Sequence, residues 1–354
     1  MKRLSNYSPE FFDGKRVLVR VDYNVSFKET KKGTVILDDS RIRSSMPTLQ
    51  FLTDAGARVI LLAHLGQPQE PFDSRFSLLP VARRLNELTF GLIGYKKKVL
   101  FSPKAVGGLA QGWAKKLEKG QMLLLENLRF YPGEERNDLI FTKRLAKLGL
   151  FYINDAFSVS HRKHASVVGL PRILPAAAGL ALEEEVDNLN KLLGNPARPL
   201  VLVVGGVKKD KLEFVSRVVG WADQILLGGL LPKEITAFPK LAKLKKILVG
   251  RLRADGQDLD VKTLRNFSQV IRRARTIIFA GPVGNTSQGY NQGTKELFKA
   301  AVESGGFVLA SGGDTKEALT KLNLIDSMNY IASGGGATLS FLAEKTLPGI
   351  EALR

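Results

Sequence analysis

Two sets of residues in this sequence have types and spacing that suit the binding of phosphate groups. In the N-terminal half, polar and cationic residues follow short apolar runs: Asp22, Asn24, His64, Glu126, Asn127, Arg129, Asn154, Asp155, His161, Arg162 and His164. In the C-terminal half, the corresponding positions hold glycine clusters: Gly205-Gly206, Gly228-Gly229, Gly281-Pro282-Val283-Gly284, Gly312-Gly313-Asp314-Thr315 and Gly334-Gly335-Gly336. Arginine forks bind carboxylate and phosphate oxygens in pairs, whereas glycine lets backbone N–H groups approach a phosphate. The pattern predicts a basic pocket for a small acidic substrate facing a nucleotide site.

The elements that must position these residues are short apolar runs, many of them β-branched. These runs are Arg16–Val21, Arg58–Leu65, Met122–Leu125, Leu150–Ile153, Leu200–Val204, Gln224–Leu227, Lys246–Val249, Thr276–Phe279, Phe307–Ala310 and Tyr330–Ala332. Amphipathic stretches with helical spacing separate them: Leu78–Leu88, Asp138–Leu148, Lys262–Arg273 and Thr294–Glu303. The alternation predicts an α/β protein with doubly wound, Rossmann-like parallel sheets. Such sheets bind ligands at the carboxyl ends of their strands.

The length of the chain favours two domains. A chain of 354 residues, 44% of them hydrophobic, exceeds what one compact core usually takes. The best boundary is a predicted helix over 182–193, which opens with Glu183-Glu184-Glu185 and stops at Gly194-Asn195-Pro196. It leaves four predicted strands before it and six after it. We therefore expect one domain over 1–180, a second over 181–340, helix 182–193 as a hinge, and a tail over about 341–354 that packs back on the first domain.

Composition excludes several classes of protein and site. The chain has no cysteine, so a disulfide framework, a thiolate metal site and a cysteine nucleophile are excluded. No apolar run approaches the roughly 20 residues that span a bilayer, and the first residues lack a secretory signal, so a cytoplasmic protein is expected. The net charge of +19 favours anionic partners. The densest basic clusters lack interleaved aromatic residues, which favours solvated faces over a nucleic-acid track.

Nine ordered motifs carry a family resemblance. They are Arg20-Val-Asp22-Tyr-Asn24, Asp39-Ser-Arg41-Ile-Arg43, His64-Leu-Gly66-Gln67-Pro68, Leu125-Glu126-Asn127-Leu-Arg129-Phe130, Asn154-Asp155-Ala-Phe157 through Ser166, Gly205-Gly206-Val207-Lys208, Gly281-Pro282-Val283-Gly284, Gly312-Gly313-Asp314-Thr315 and Gly334-Gly335-Gly336-Ala337. Their order and intervals resemble those of the phosphoglycerate kinase family, over nearly the whole chain. The resemblance implies phosphoryl transfer in glycolysis between 1,3-bisphosphoglycerate and ADP, which gives 3-phosphoglycerate and ATP. It implies Mg²⁺ with the nucleotide, and a monomer is expected.

The resemblance also implies roles for individual residues. Arg41 and Lys208 would act on the transferred phosphoryl group, and Asp314 would reach the magnesium ion. Phosphoglycerate binding is implied for Asp22, Asn24, Arg41, His64, Gln67, Arg129, His161 and Arg162. Nucleotide binding is implied for Gly206, Val207, Lys208, Lys211, Gly228, Gly229, Pro282, Gly312, Gly313, Asp314 and Thr315. Lys211 would be a second phosphate-binding lysine, and Gly228 and Gly229 would border the adenine.

Some positions depart from the family pattern. Gln67 stands in place of an arginine, and Ser287 stands in place of a glutamate that holds the ribose. The segment from Lys208 to Lys211 is one residue short, and the stretch between Leu231 and Val261 is also shorter than in the family. Two hypotheses therefore stay open. One is an active kinase with a compact nucleotide domain, and the other is a non-catalytic relative that binds an anion or a macromolecule through its basic surface.

Overall fold

The chain forms two compact units in the computed structural model, which describes residues 1–30, 33–70, 72–206 and 210–354, without the side chain of residue 210. The first unit contains Met1–Asp187 together with Thr346–Arg354, and the second contains Asn188–Lys345. The junction between them falls within one long helix. Within the described parts of the chain, no helix has the length and apolar character to cross a membrane.

The first unit is built on a six-stranded parallel sheet in the order β5-β6-β4-β1-β7-β8. Its strands are β1 (Arg16–Arg20), β4 (Arg58–Leu62), β5 (Leu100–Ser102), β6 (Met122–Leu125), β7 (Phe151–Asn154) and β8 (Ala176–Ala178), and an antiparallel hairpin adds β2 (Phe27–Thr30) and β3 (Gly33–Ile36). Its helices are α1 (Ser40–Ser44), α2 (Met46–Asp54), α3 (Leu79–Ile93), α4 (Gly108–Lys116), α5 (Pro132–Glu135), α6 (Leu139–Ala146) and α15 (Pro348–Glu351). Helix α7 (Leu180–Gly194) runs from this unit into the second.

The second unit repeats this plan with the strand order β11-β10-β9-β12-β13-β14. Its strands are β9 (Leu200–Val204), β10 (Gln224–Leu227), β11 (Ile247–Val249), β12 (Thr276–Ala280), β13 (Phe307–Ser311) and β14 (Tyr330–Ala332). Its helices are α8 (Asp210–Val218), α9 (Leu231–Glu234), α10 (Pro239–Ala242), α11 (Val261–Arg272), α12 (Gln292–Glu303), α13 (Gly313–Lys321) and α14 (Gly335–Glu344). Two parallel-sheet α/β units confirm the predicted fold class.

All ten apolar runs form strands, and the inner strands of each sheet are largely buried on both faces, which gives them continuous apolar sequences. Strand β9, for example, is buried along its whole length between β10 and β12. The edge strands β11 and β14 are only partly buried. The prediction of four strands in the N-terminal half was wrong, since that sheet has six. The two that were missed, β5 and β8, are only three residues long, and β8 consists of alanine alone. Neither has the β-branched run that marks a strand in sequence.

The predicted helices form where local signals favour them. Asp138 and Asp260 precede α6 and α11, and each carboxylate accepts a hydrogen bond from a first-turn backbone N–H, at 2.7 Å in both helices. The tail of the chain lies in the first unit, where Lys2 N donates to Leu353 O at 2.8 Å and Gly349 N donates to Ser160 O at 2.8 Å. The chain therefore begins and ends beside the same sheet.

Candidate functional site

The predicted site residues of the first unit, which are polar or charged, lie at the carboxyl ends of four neighbouring strands. The sheet places β6, β4, β1 and β7 side by side. Arg129 follows β6, His64 follows β4, Asp22 follows β1, and Arg162 follows β7. Because the carboxyl ends of parallel strands meet at one edge, side chains from distant parts of the sequence converge there.

Asp22 connects this edge to helix α1. Its Oδ2 accepts a hydrogen bond from Arg41 and another, at 2.6 Å, from the hydroxyl of Ser158. Its Oδ1 accepts from the backbone N–H of Asn24 at 3.1 Å, and Asn24 Oδ1 in turn accepts from Gly66 N at 2.8 Å. These contacts hold the Arg41 guanidinium beside the pocket and fix the loop that follows β4.

A buried network holds His64 in one protonation state. Arg20 is 1% exposed, and its NH2 donates to His64 Nδ1 at 3.0 Å. Because Nδ1 accepts this bond, the proton of the neutral ring is on Nε2. Burial lowers the pKa of His64 well below its ordinary value, and Arg20 and Arg129 add to that effect. His64 is therefore a neutral hydrogen-bond donor in a cationic pocket.

Glu134 and Ser166 support the buried Arg20. Its Nε donates to Ser166 Oγ at 2.9 Å, and that hydroxyl donates to Glu134 Oε1 at 2.5 Å. Glu134 Oε2 accepts from Ser166 N at 3.0 Å, and its carboxylate is 1% exposed. Burial raises the pKa of Glu134, while Arg20 and the two bonds from Ser166 act against this rise. The carboxylate is thus the counter-charge that lets an arginine sit inside the sheet.

The remaining basic residues surround the same space. Arg129 donates to Gly66 O and lies 3.3 Å from Glu135 Oε1, and its pKa falls to about 10 through burial and the charge of Arg162. Burial and Arg162 also lower the pKa of His161 and of His164 to about 4. Arginines thus supply the positive charge of the pocket, and the histidines supply neutral donors and acceptors.

Two acidic residues of the same edge have structural roles instead. Asp155 Oδ1 accepts from the backbone of Ala181 at 3.0 Å and of Leu182 at 3.3 Å, so it caps α7, and burial raises its pKa to about 7. Glu126 accepts from Ser77 Oγ and Leu78 N, at 2.8 Å each, and braces the loop before α3. Neither carboxylate points to proton transfer.

In the second unit, glycines follow the carboxyl ends of several strands, and some of them lie too close to neighbouring backbone for a side chain to fit. A Cβ at Gly205 would lie 2.1 Å from Pro282 O, and one at Gly229 would lie 2.4 Å from Gly206 N. Gly206, Gly229 and Gly281 also have positive φ angles of 98°, 61° and 109°. Only glycine satisfies both conditions at Gly229, which the sequence assigned to the border of the adenine site.

Lys211, predicted to bind phosphate, lies among these glycines. Its Nζ donates to Ala280 O at 2.9 Å and to Gly205 O. The ammonium group therefore ties the loops after β9 and β12 together. Val207 and Lys208, which the sequence assigned to the nucleotide site, lie outside the described residues.

The loop after β13 has the form of a phosphate-binding helix start. Gly312 has a φ of 103°, and α13 begins at Gly313 with Asp314 exposed in its first turn. A Cβ at Gly335 would lie 2.9 Å from Gly312 Cα, so the loops after β13 and β14 touch. Thr315 donates its hydroxyl to Ser311 O at 2.8 Å. Gly312, at the N-cap, has no side chain to bond the first backbone N–H groups of α13, which suits an anion at this end of the helix.

The residues present fit a magnesium ion that arrives with a nucleotide. Within the described parts of the chain, no group of three or more His, Cys, Asp or Glu residues could hold a metal by itself. Asp314 offers one exposed carboxylate beside the helix start. Mg²⁺ is commonly bound by one or two carboxylates together with substrate phosphates. Asp314 is therefore the residue that would hold it.

A cavity of about 260 Å³ opens beside the first glycine clusters of the second unit. It is lined by Gly206, Gly229, Leu230, Lys233, Gly256, Gln257, Gly284 and Asn285. Ser287, expected near a ribose, donates its hydroxyl to Asn285 Oδ1 at 2.8 Å. Leu230, Lys233, Gln257 and Asn285 were not predicted, because residues so far apart in sequence show no shared pattern.

Comparison with known proteins identifies the family. The model of the phosphoglycerate kinase family matches residues 10–250 and 243–345. The chain belongs to the phosphoglycerate kinase family. It is 37% identical to the phosphoglycerate kinase of Desulforudis audaxviator over an alignment 388 positions long, gaps included, and 38% identical to that of Koribacter versatilis over 390. Each alignment covers 96% of this chain and 96% of the relative.

Solved structures of the phosphoglycerate kinase family have the same fold. The enzyme from Coxiella burnetii aligns with a TM-score of 0.78 at 32% identity and covers 99% of this chain and 98% of that one. The enzyme from Pyrococcus horikoshii OT3 aligns with a TM-score of 0.81 at 27% identity and covers 100% and 98%. The predicted family is confirmed over almost the whole chain.

Sequence reasoning found the residues of the phosphoglycerate kinase motifs and missed those that hold them. The structure brings Asp22, Asn24, Arg41, His64 and Arg129 to one edge, with His161 and Arg162 after β7. Gln67 follows Gly66 there and is exposed. Arg20, Glu134 and Ser166 also stand within or beside the quoted motifs, but no role was given to them. A charged residue inside an apolar run, such as Arg20 at the end of β1, was the available signal.

Proposed function

We propose that this chain is an active phosphoglycerate kinase that transfers a phosphoryl group from 1,3-bisphosphoglycerate to ADP, and back. Membership of the family confirms the predicted phosphotransferase class. The observation that carries the proposal is the cluster of four arginines with neutral histidines at one sheet edge of the first unit. A cluster of this composition suits a small substrate that carries phosphate and carboxylate groups.

Each predicted site residue has a place in the proposed reaction. Arg129 and Arg162 bind substrate oxygens, His64 donates a hydrogen bond from Nε2, and Asp22 orients Arg41 toward the reacting phosphoryl group. The glycine loops and the start of α13 bind the nucleotide, and Lys208 meets the transferred group. Asp314 would hold the magnesium ion that arrives with the nucleotide, and this ion would supply positive charge to the nucleotide phosphates.

The proposed reaction requires no nucleophilic side chain. An acyl phosphate is already a reactive donor, so the protein must align donor and acceptor oxygens and neutralise the negative charge that spreads during transfer. Arginine, lysine, backbone N–H groups and one metal ion suffice for this. The domain limits, the hinge role of the helix over 182–193, the monomeric state and the cytoplasmic location stay predictions.

A coupled assay of ATP formation from 1,3-bisphosphoglycerate and ADP tests the proposal. We expect turnover by the parent chain. Lys208→Ala should lower kcat by about 10²–10³-fold, the size seen when one group that stabilises a transition-state charge is removed. Lys209→Ala, which removes the neighbouring lysine, is the matched control. A parent chain that binds both substrates without turnover would instead support the non-catalytic hypothesis, which the family comparisons do not favour.

A further inference from the structure

We infer that the side-chain amide of Gln257 donates a hydrogen bond to a purine ring nitrogen of the bound nucleotide, and that Asn285 and Ser287 hold it in that role. The inference rests on the proposed function, because it names the group that recognises the base at the proposed nucleotide site. It concerns Gln257 and Asn285, to which the resemblance gave no role, and Ser287, which stands in place of a ribose-binding glutamate.

The position of the cavity identifies which end of the nucleotide it receives. Its glycines follow β9, β10 and β12, whereas α13 and its helix start follow β13. Strand β10 lies three strand spacings from β13, about 14 Å along the edge of the sheet. A nucleotide whose phosphates meet the start of α13 therefore extends its base toward β10. The cavity of about 260 Å³ lies at that end.

The walls of the cavity suit a flat ring. Gly206 and Gly229 present bare backbone on one part of it, and no side chain fits at Gly229. Leu230 contributes an apolar surface and is 36% exposed. The residues that line the cavity include no carboxylate, and their polar side chains are Lys233, Gln257 and Asn285. A base that packs there would meet backbone and leucine on its faces and amide groups at its edge.

The hydrogen bonds of Gln257 leave both N–H groups of its side-chain amide to meet a ligand. Its backbone N–H donates to Asp255 Oδ1 at 3.0 Å, and its carbonyl accepts from Asn285 N at 2.9 Å. Its side-chain Oε1 accepts from Asn285 Nδ2, also at 2.9 Å. Among the contacts of the described residues, the two N–H groups of Nε2 have no acceptor. A buried or half-buried amide group of this kind is stabilised when a ligand supplies the acceptor.

Ser287 and Asn285 set the direction of that chain of bonds. The Ser287 hydroxyl donates to Asn285 Oδ1, so the Asn285 amide turns its Nδ2 toward Gln257 Oε1. This orientation in turn directs Nε2 of Gln257 away from Asn285. Adenine carries acceptor nitrogens at N1, N3 and N7, each of which can pair with an N–H donor. Ser287, Asn285 and Gln257 thus form a chain of hydrogen bonds that ends in the side-chain N–H groups of Gln257.

Calorimetric titration with ADP and magnesium tests the role of Gln257. We expect Gln257→Leu to weaken ADP binding about three- to tenfold, which is the loss of one neutral hydrogen bond. Gln257→Glu should weaken it more than tenfold, because a carboxylate turns donors into acceptors and adds charge. The matched controls are Gln269→Leu and Gln269→Glu. Gln269 is an exposed residue of α11, and both variants should bind ADP like the parent chain.

Analogues of ADP that lack one ring nitrogen identify the acceptor. With the parent chain, one of the 1-deaza, 3-deaza and 7-deaza analogues should bind as weakly as ADP binds to Gln257→Leu. That analogue should lose nothing further with Gln257→Leu, because the same bond is already absent. Ser287→Ala should reduce the preference for ADP over that analogue without changing the melting temperature, a result that a purely structural role would not give.

Three results would overturn the inference while leaving the proposed function intact. They are ADP affinity within twofold of the parent in both Gln257 variants, tighter binding by Gln257→Glu, and the same additional loss for every analogue in Gln257→Leu. Failure of the parent chain to bind ADP would overturn the inference and the proposed function together. The parent titration separates these cases before any variant is measured.

Discussion

The two units of this protein share one fold and differ in what they present at the carboxyl ends of their strands. The first unit has charged side chains at the carboxyl ends of its strands, and the second unit has glycines at the carboxyl ends of its own strands. Arg20 is 1% exposed, and the buried Glu134 is the charge that most favours its guanidinium, ahead of Asp22. Gly205 and Gly229 need no partner, but their surroundings leave no room for a Cβ. A pocket lined by cationic side chains therefore depends on residues that support those charges, whereas a pocket lined by glycine backbone depends on the close packing of its loops.

We expect the stability of the two units to depend on pH in different ways. All three histidines of the chain, His64, His161 and His164, belong to the first unit, and the pKa of each is lowered. The second unit holds its glycine loops with backbone groups and with Lys211. The first unit should therefore be the one whose stability changes where histidine titrates.

The largest expected effect comes from removing the buried counter-charge in the first unit. Glu134→Ala should lower the free energy of unfolding by about 3–5 kcal/mol, because it removes the buried carboxylate that most offsets the burial of the Arg20 guanidinium. Urea unfolding followed through Trp113, in α4 of this unit, would measure the loss.

The neighbouring residue is a matched control for that experiment. Glu135 is 55% exposed on its side chain and pairs with Arg129 at 3.3 Å. Glu135→Ala should cost less than about 1 kcal/mol, as is usual for an exposed ion pair. Equal losses in the two variants would mean that burial of the charge does not decide the stability of this network.

A smaller effect is expected where the second unit excludes side chains. Gly205→Ala places a methyl group against the backbone of Pro282 and should cost about 1–3 kcal/mol of unfolding free energy. Gly220→Ala is the control, since a Cβ there has nothing within 4 Å and the φ angle is not positive. Urea unfolding followed through Trp221 reports on this unit. A Gly205→Ala chain as stable as the control would show that the two loops can move apart freely.

Acidification should weaken the first unit by on the order of 1–2 kcal/mol. In the folded chain the pKa of His161 and of His164 is about 4, against an ordinary value of 6.5. The unfolded chain therefore binds protons first as the pH falls from 6.5 to 4, and the free energy of unfolding decreases over that range. Above pH 6.5 the contribution is fully present.

Two single-tryptophan variants separate the units in this experiment. The chain has two tryptophans, one in each unit, so Trp221→Phe reports on the first and Trp113→Phe on the second. Adding His161→Gln and His164→Gln should reduce the pH dependence seen by Trp113 to the part that His64 contributes, and leave that of Trp221 unchanged. A dependence that is as large after loss of both histidines would assign the effect to His64 or to the carboxylates instead.

The smallest effect concerns a charge that the first unit lacks. Gln67 is exposed beside Gly66, whose carbonyl accepts from Arg129. Gln67→Arg should lower KM for 3-phosphoglycerate about fivefold, because a charge-assisted hydrogen bond exceeds a neutral one by roughly 1 kcal/mol. Gln69→Arg adds the same charge two residues away and should change KM less. An unchanged or higher KM in Gln67→Arg would mean that position 67 does not face the substrate.

Much of the fold could be predicted because its signals are local. Each long parallel strand is a continuous apolar run, and helices such as α6 and α11 begin at a capping aspartate, so a single segment suffices to identify them. Strand β8 is different, since Ala176–Ala178 has no strand preference of its own. It pairs with β7 in the register that joins Tyr152 to Ala176, and this pairing with a neighbour makes it a strand.

The sequence by itself determined the family, the two parallel sheets and the residue types that converge at each edge, because ordered motifs and apolar runs are properties of the chain alone. Only the tertiary structure decided which of those residues support others. The bond from Arg20 to His64 joins residues 44 positions apart, and the bond from Asn285 to Gln257 joins residues 28 apart. Such contacts form because crossover connections bring the ends of different strands together. The separation of two residues along the chain does not predict how close they lie in the folded protein.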